Sequence, residues 1–130
     1  MLNHFYTTDP KLEDAPKKGY VYEGITGYLY PNPTKWTVPL FRWCRGNGDH
    51  FYTTDGKGER VSIGYDIFEG VTGYIYPDVG RGTVALYRWY HPEHGDHFYT
   101  TDPSGERAPS TGYNAEGITG YLYATPQDGT

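Results

Sequence analysis

Apolar and polar residues alternate along this chain in short bursts, each bounded by turn-forming residues. The first burst, His4-Phe-Tyr-Thr-Thr8, is rich in strand formers. Alternation there places His4, Tyr6 and Thr8 on one face, with Phe5 and Thr7 on the other. The polar stretch 9–19 carries prolines and charges and predicts a loop with at most one helical turn. Tyr20-Val-Tyr22 and Tyr28-Leu-Tyr30 follow as two more short strands, with Gly27 marking a bulge or bend between them. Pro31 closes the third strand, and Val38-Pro-Leu-Phe-Arg-Trp43 supplies a fourth. The 18 Gly and 10 Pro point to many tight turns and argue against long helices.

The whole pattern then recurs. His-Phe-Tyr-Thr-Thr-Asp stands unchanged at 4–9, 50–55 and 97–102, with offsets of 46 and 47 residues. Glu23-Gly-Ile-Thr-Gly-Tyr-Leu-Tyr30 is matched at 69–76 and 116–123, each glutamate 19 residues after its histidine. Val38–Trp43 is matched by Val84–Trp89, and Glu13 by Glu59 and Glu106. A fixed period of this length is the mark of a repeat architecture. The expectation is one all-β domain, 1–130, of three tandem repeats: 1–49, 50–96 and 97–130. Thr130 aligns with Thr37 and Thr83, so the third unit has no fourth strand. Three such units predict pseudo-threefold symmetry of the β-trefoil kind, with a three-bladed β-propeller as the alternative. Phe5, Phe51 and Phe98, together with Ile25, Val71 and Ile118, are the expected core.

Composition makes a core possible despite a mean hydropathy of −0.74. Aromatics form 18% of the chain, 15 of them Tyr, whose rings bury area while the hydroxyls stay hydrogen-bonded. With a net charge of −5 and no basic run, nucleic-acid binding is not expected. No apolar run approaches the roughly 20 residues of a membrane span. Cys44 stands alone, which excludes an internal disulfide, and reads as a space-filling thiol where the next copy has Tyr90.

The hexapeptide, with Leu-Tyr-Arg-Trp-Tyr before it and Glu-Gly-Ile-Thr-Gly-Tyr after it, resembles an uncharacterised repeat family with a His-Phe-Tyr-Thr-Thr core. That family occurs in fungal proteins and in secreted bacterial proteins, often beside cell-wall glycosidases and peptidoglycan hydrolases. The resemblance covers nearly the whole chain and implies a non-catalytic module acting near carbohydrate polymers, in an extracellular or cell-surface setting. The absence of a visible signal peptide keeps a cytoplasmic location open. The family carries over no catalytic residues.

The recurrent polar residues are the candidate ligand-binding set. His4, His50 and His97 read either as imidazoles held by a neighbouring carbonyl or carboxylate, with Asp49 and Asp96 close by in sequence, or as donors to sugar hydroxyls. One metal ion held by all three histidines is a lesser reading, and neither metal nor cofactor is expected. Glu23, Glu69 and Glu116 read either as partners of Arg42 and Arg88 or as acceptors of two sugar hydroxyls. Trp43 and Trp89 would supply the flat apolar face that a pyranose ring needs. Catalysis is not expected, because three near-identical units distribute every acid and base equally, whereas hydrolysis needs two carboxylates in different environments. The expected function is therefore a multivalent, lectin-like module for glycans or cell-wall polysaccharide. A protein-binding or inhibitor module of the same fold is the alternative. The absent fourth strand predicts an open edge and, with it, a homo-oligomer formed through 4–8 and 121–123.

Overall fold

The structure, a computed structural model, describes residues 3–46, 48–59, 64–65, 67–80 and 82–130. It is mostly strand, as the alternation implies. Six strands lie among the described residues: β1 (Val38–Cys44), β2 (His50–Thr53), β3 (Ile67–Ile75), β4 (Val84–His91), β5 (Asp96–Thr100) and β6 (Asn114–Leu122). They form two antiparallel three-stranded sheets, in the orders β2-β1-β3 and β5-β4-β6. In each, the Leu-aromatic-Arg-Trp strand lies in the middle. It belongs in sequence to one repeat, and both its neighbours belong to the next.

Two of the expected strands per unit are one. Tyr65 lies outside β3, and β3 runs unbroken from Ile67 to Ile75, crossing Gly70 and Gly73. The continuity rests on two bulges. Between Leu40 and Phe41 the register skips Thr72, and between Arg42 and Trp43 it skips Glu69. β6 repeats this against β4, skipping Thr119 and Glu116. Gly70 and Gly117, at φ 99° and 103°, take the left-handed backbone that follows each bulged glutamate and that a side chain would resist. Gly73 is needed for a different reason. A Cβ there would meet Leu29 Cδ1 at 2.2 Å and the Tyr30 carbonyl at 3.1 Å, because the neighbouring repeat packs directly onto the backbone.

The first repeat departs from the expected strands. Residues 4–8 and 20–27 carry no strand, and no strand among the described residues pairs with them as β1 and β4 pair with their flanks. Pairing resumes at Tyr28 and Tyr30. The contact Tyr30–Tyr74 recurs as Tyr76–Tyr121 and as Tyr123–Tyr28, each with two main-chain hydrogen bonds of 2.7–3.1 Å, so first, second and third repeats join in a closed cycle. The expected open edge at 121–123 is thereby corrected. Tyr121 and Tyr123 are paired to Tyr76 and Tyr28, and Leu122 to Val84. Stretch 9–19 holds a short 3-10 segment, Leu12–Lys18, with Leu12, Glu13 and Asp14 all left-handed.

The core is also rearranged. Leu40, Tyr52, Ile75, Leu86, Tyr99 and Leu122 form it, with Tyr6, Leu29, Val38 and Val84 against them. Ile25, Val71 and Ile118, expected inside, are exposed. For Val71 and Ile118 the bulges at Thr72 and Thr119 explain this, since the extra residue flips the side-chain alternation and turns Ile75 and Leu122 inward in their place, whereas Ile25 lies in a segment that carries no strand. Phe51 is fully buried, whereas Phe5 and Phe98 are half-buried.

Candidate functional site

Two rings of tyrosines hold the three repeats together at the centre. The Tyr52 hydroxyl donates to the Tyr6 carbonyl and accepts the Tyr6 N–H, both at 2.7 Å. Tyr99 does the same for Tyr52, at 3.1 and 2.7 Å, and Tyr6 for Tyr99, at 3.0 and 2.7 Å. Their rings meet edge-on at centroid distances of 5.2–5.4 Å. Burial pushes all three phenols up from their ordinary pKa, so each stays protonated and able to donate. Tyr30, Tyr76 and Tyr123 form the second ring, where hydroxyls meet one another at 3.3–3.4 Å.

The aspartates work across repeats, although each directly precedes a histidine. Asp49 accepts the His97 N–H at 3.0 Å, faces His97 Nδ1 at 2.8 Å and receives the Tyr65 hydroxyl. Asp96 holds His4 in the same way, at 2.7 and 2.5 Å, and receives Tyr113 at 2.5 Å. Both carboxylates are fully buried. Burial works against a charge on His4, but the hydrogen bond and charge of Asp96 outweigh it, so the His4 pKa is raised. Asn3 occupies the matching position ahead of His4 and offers an amide where the others offer a charge. His50 has no partner for Nδ1 among the described residues, and burial lowers its pKa despite Glu69.

The glutamates converge on the arginines. Glu69, projected by its bulge, accepts Arg42 Nε at 2.9 Å and lies 3.2 Å from His50 Nε2. Glu13 accepts the other two guanidinium nitrogens at 3.0 Å each and takes a hydrogen bond from Thr7. That arginine holds the Glu13 carboxyl below its usual range. Arg42 also sits 4.7 Å above the Phe5 ring. Together with Lys18, Tyr20 and Gly48 these residues line a cleft of about 230 Å³. The second sheet repeats the cluster. Arg88 is held by Glu116 at 2.9 Å and by Glu59 at 3.5 Å, over Phe51 at 4.7 Å, with His97 Nε2 3.3 Å from Glu116. The third position keeps Glu23, which lies 3.5 Å from His4 Nε2, and Glu106, which receives Thr100 at 2.5 Å. It has no arginine.

The tryptophans are not brought into these clusters. Neighbouring residues on a strand face opposite ways, so Trp43 and Trp89 point away from Arg42 and Arg88. Trp43 packs against Phe68 at 4.8 Å, and Trp89 lies against Gly105. Phe5 and Tyr20, or Phe51 and Tyr65, are the aromatic rings beside the charges. The recurrence of Glu13 with Glu59 and Glu106 was the available signal for the second carboxylate. Trp36 carried a signal as well. It stands where the other repeats have Gly82 and Gly129, and all three residues are left-handed, at φ 72°, 76° and 85°. Its indole is 61% exposed beside a cleft of about 330 Å³ lined by Tyr76, Pro77, Asp78 and Val79.

The three histidines do not converge on one point, since each is tied to a different interface. Among the described residues the trio that could hold a metal ion is Cys44, His50 and Glu69, whose ligand atoms lie within 4.8 Å of one another. Two features oppose a cation there. Arg42 already occupies Glu69, and burial raises the Cys44 thiol pKa.

These features define an all-β protein of two three-stranded sheets, clasped by tyrosine rings and by histidine, glutamate and arginine clusters. A family model described as a domain of unknown function, DUF5648, matches residues 1–66, and the chain belongs to that family. No curated protein and no solved structure matches it. Among the described residues, no helix is long and apolar enough to cross a membrane.

Proposed function

We propose that the chain is a non-catalytic carbohydrate-binding module with two corresponding charge clusters, one at Arg42, which lines a cleft, and one at Arg88. The observation that carries this reading is the cleft over Phe5 and Tyr20. There the partly exposed carboxylates of Glu13 and Glu69, the Arg42 guanidinium and Lys18 surround aromatic rings. Carboxylate lone pairs beyond those used by arginine accept sugar hydroxyls, arginine and lysine donate to them, and ring edges meet pyranose C–H groups. The architecture behind it is three repeats about a pseudo-threefold axis. Three-stranded sheets with a middle strand from the preceding repeat support the propeller-like alternative over the trefoil. Weak paired sites gain avidity on a polysaccharide or cell surface, which favours an extracellular setting.

Trp36 supports the protein-binding alternative, because it is exposed, lies near exposed Val79 and has no counterpart in the other repeats. A glycan array followed by calorimetry with the best monovalent sugar separates the two readings. The carbohydrate reading expects two sites per chain and loss of both in Glu13→Gln/Glu59→Gln with the melting temperature little changed. Absence of any glycan signal, or one site lost only in Trp36→Gly, overturns it.

A further inference from the structure

The two buried aspartates define a group that the Arg42 cleft lacks. Asp49 accepts the main-chain N–H of His97, faces its Nδ1 and receives the Tyr65 hydroxyl. Asp96 gathers the same three groups from His4 and Tyr113. His50 and Tyr20 are the third such pair, and Asn3 stands where the sequence would put their aspartate. The Arg45 N–H donates to the Asp49 carbonyl at 3.1 Å, so 45 and 49 form a hydrogen-bonded pair and the next pair, Cys44 with His50, does not. The His50 N–H therefore turns away from β1, as the His97 N–H turns toward Asp49. Among the described residues it has no partner, and neither does the Tyr20 hydroxyl. His50 Nδ1 is buried without a partner as well, in a residue only 8% exposed.

The surroundings suit the missing charge. Tyr20 and His50 both line the cleft, with Phe5, Lys18 and Arg42 beside them. Tyr65 and Tyr113 are buried over their aspartates, whereas Tyr20 is half-buried. Lys18 stands two residues before Tyr20, where the other copies have Ile63 and Thr111. A cation therefore appears in the one repeat whose aspartate is replaced by an amide. Glu13 and Glu69 are balanced by Arg42 and Lys18, so an added anion meets no net negative charge from these four. The chain itself tolerates the arrangement. His97 carries Asp49 on Nδ1 at 2.8 Å while Glu116 lies 3.3 Å from Nε2, just as Glu69 lies 3.2 Å from His50 Nε2.

We propose that the Arg42 cleft binds the carboxylate of a ligand, which accepts from the His50 N–H, His50 Nδ1 and the Tyr20 hydroxyl as Asp49 and Asp96 accept from their own sets. Resting on the carbohydrate reading, that ligand is an acidic sugar of the uronate class, with its carboxylate beside Lys18 and its ring against Phe5 and Tyr20. There is one such site per chain, because Asp49 and Asp96 fill the other two positions.

The test titrates the full chain with glucuronate, methyl glucoside and acetate, read by calorimetry and by the NMR signals of the His50 amide and ring. Glucuronate should bind one-to-one, at least about tenfold tighter than methyl glucoside, and acetate should move the same His50 signals. Asn3→Asp supplies the carboxylate from within the chain. It should raise the melting temperature and weaken glucuronate and acetate at least about tenfold. Tyr20→Phe, which removes one donor and keeps the ring, should weaken both severalfold. Equal affinity for glucuronate and methyl glucoside, or glucuronate binding unchanged in both variants, overturns the proposal. Neutral glycans that bind while glucuronate and acetate leave His50 unmoved overturn the carboxylate site and spare the carbohydrate reading. Acetate that moves His50 in a chain to which no glycan binds does the reverse.

Discussion

Replacing Tyr52 with Phe isolates what the central hydroxyl ring contributes. The substitution keeps the ring and its edge-on packing against Tyr6 and Tyr99, at 5.4 and 5.2 Å. It removes the Tyr6 N–H's one partner among the described residues and the nearer partner of the Tyr6 carbonyl, both at 2.7 Å. An orphaned buried donor or acceptor costs about 1–3 kcal/mol. The carbonyl keeps a long contact from Arg42 at 3.5 Å, so the N–H carries most of the penalty. The expected loss is therefore about 2–4 kcal/mol. For a chain of this size that corresponds to a fall of roughly 10 °C in melting temperature. Urea unfolding should show a lower midpoint with an unchanged slope. Tyr30→Phe is the control. Among the described residues its hydroxyl meets only that of Tyr76, at 3.4 Å, and its loss should cost under about 1 kcal/mol. If the two variants are equally stable, the hydroxyl-to-backbone cycle does not hold the repeats together, and the reasoning fails.

Three further outcomes follow from the same geometry. Gly73→Ala should lose about 1–3 kcal/mol in urea unfolding, because its Cβ would meet the Tyr30 carbonyl at 3.1 Å and Leu29 cannot retreat from the core. His4, whose folded pKa is raised, contributes stability that is full below about pH 6.5 and fades as pH rises through the folded value. His50, whose pKa is lowered, adds a penalty that appears as pH falls below about 6.5. His4→Gln should therefore be more destabilising at pH 5.5 than at pH 8, and His50→Gln less so; parallel profiles would refute both assignments. The Cys44 thiol, raised by burial, should react with a disulfide reagent at neutral pH more slowly than free cysteine; equal rates would mean the thiol is not held up.

Recurrence made the strand-rich class and the pairing of glutamate with arginine legible, because residues that serve the same contact in successive units are written at the same offset. Position within the sheet was less legible. Ile25, Val71 and Ile118 look like core residues until the register is known; bulges that alternation cannot reveal turn Val71 and Ile118 outward, and Ile25 lies in a segment without a strand. Asp49 and Asp96 sit beside His50 and His97 in the chain, yet Asp49 binds His97 and Asp96 binds His4, since successive strand residues face apart and the fold brings up the next copy. The same rule separates Trp43 from Arg42. The Tyr6, Tyr52 and Tyr99 cycle could not be read either. Nothing local says that a tyrosine hydroxyl will serve as the partner of another repeat's main chain.

The middle strand of each sheet comes from the repeat before it, and so the unit that recurs in the sequence differs from the unit that folds. A cut at 49/50, where the sequence period falls, would sever β1 from both of its neighbours. A cut within 31–37 or 77–83 passes between sheets and would leave 38–76 or 84–123 each with a complete set of three strands. Lengthening, shortening or permuting such a chain preserves its sheets only when the breakpoints fall in these proline- and glycine-rich turns, half a period out of step with the hexapeptide.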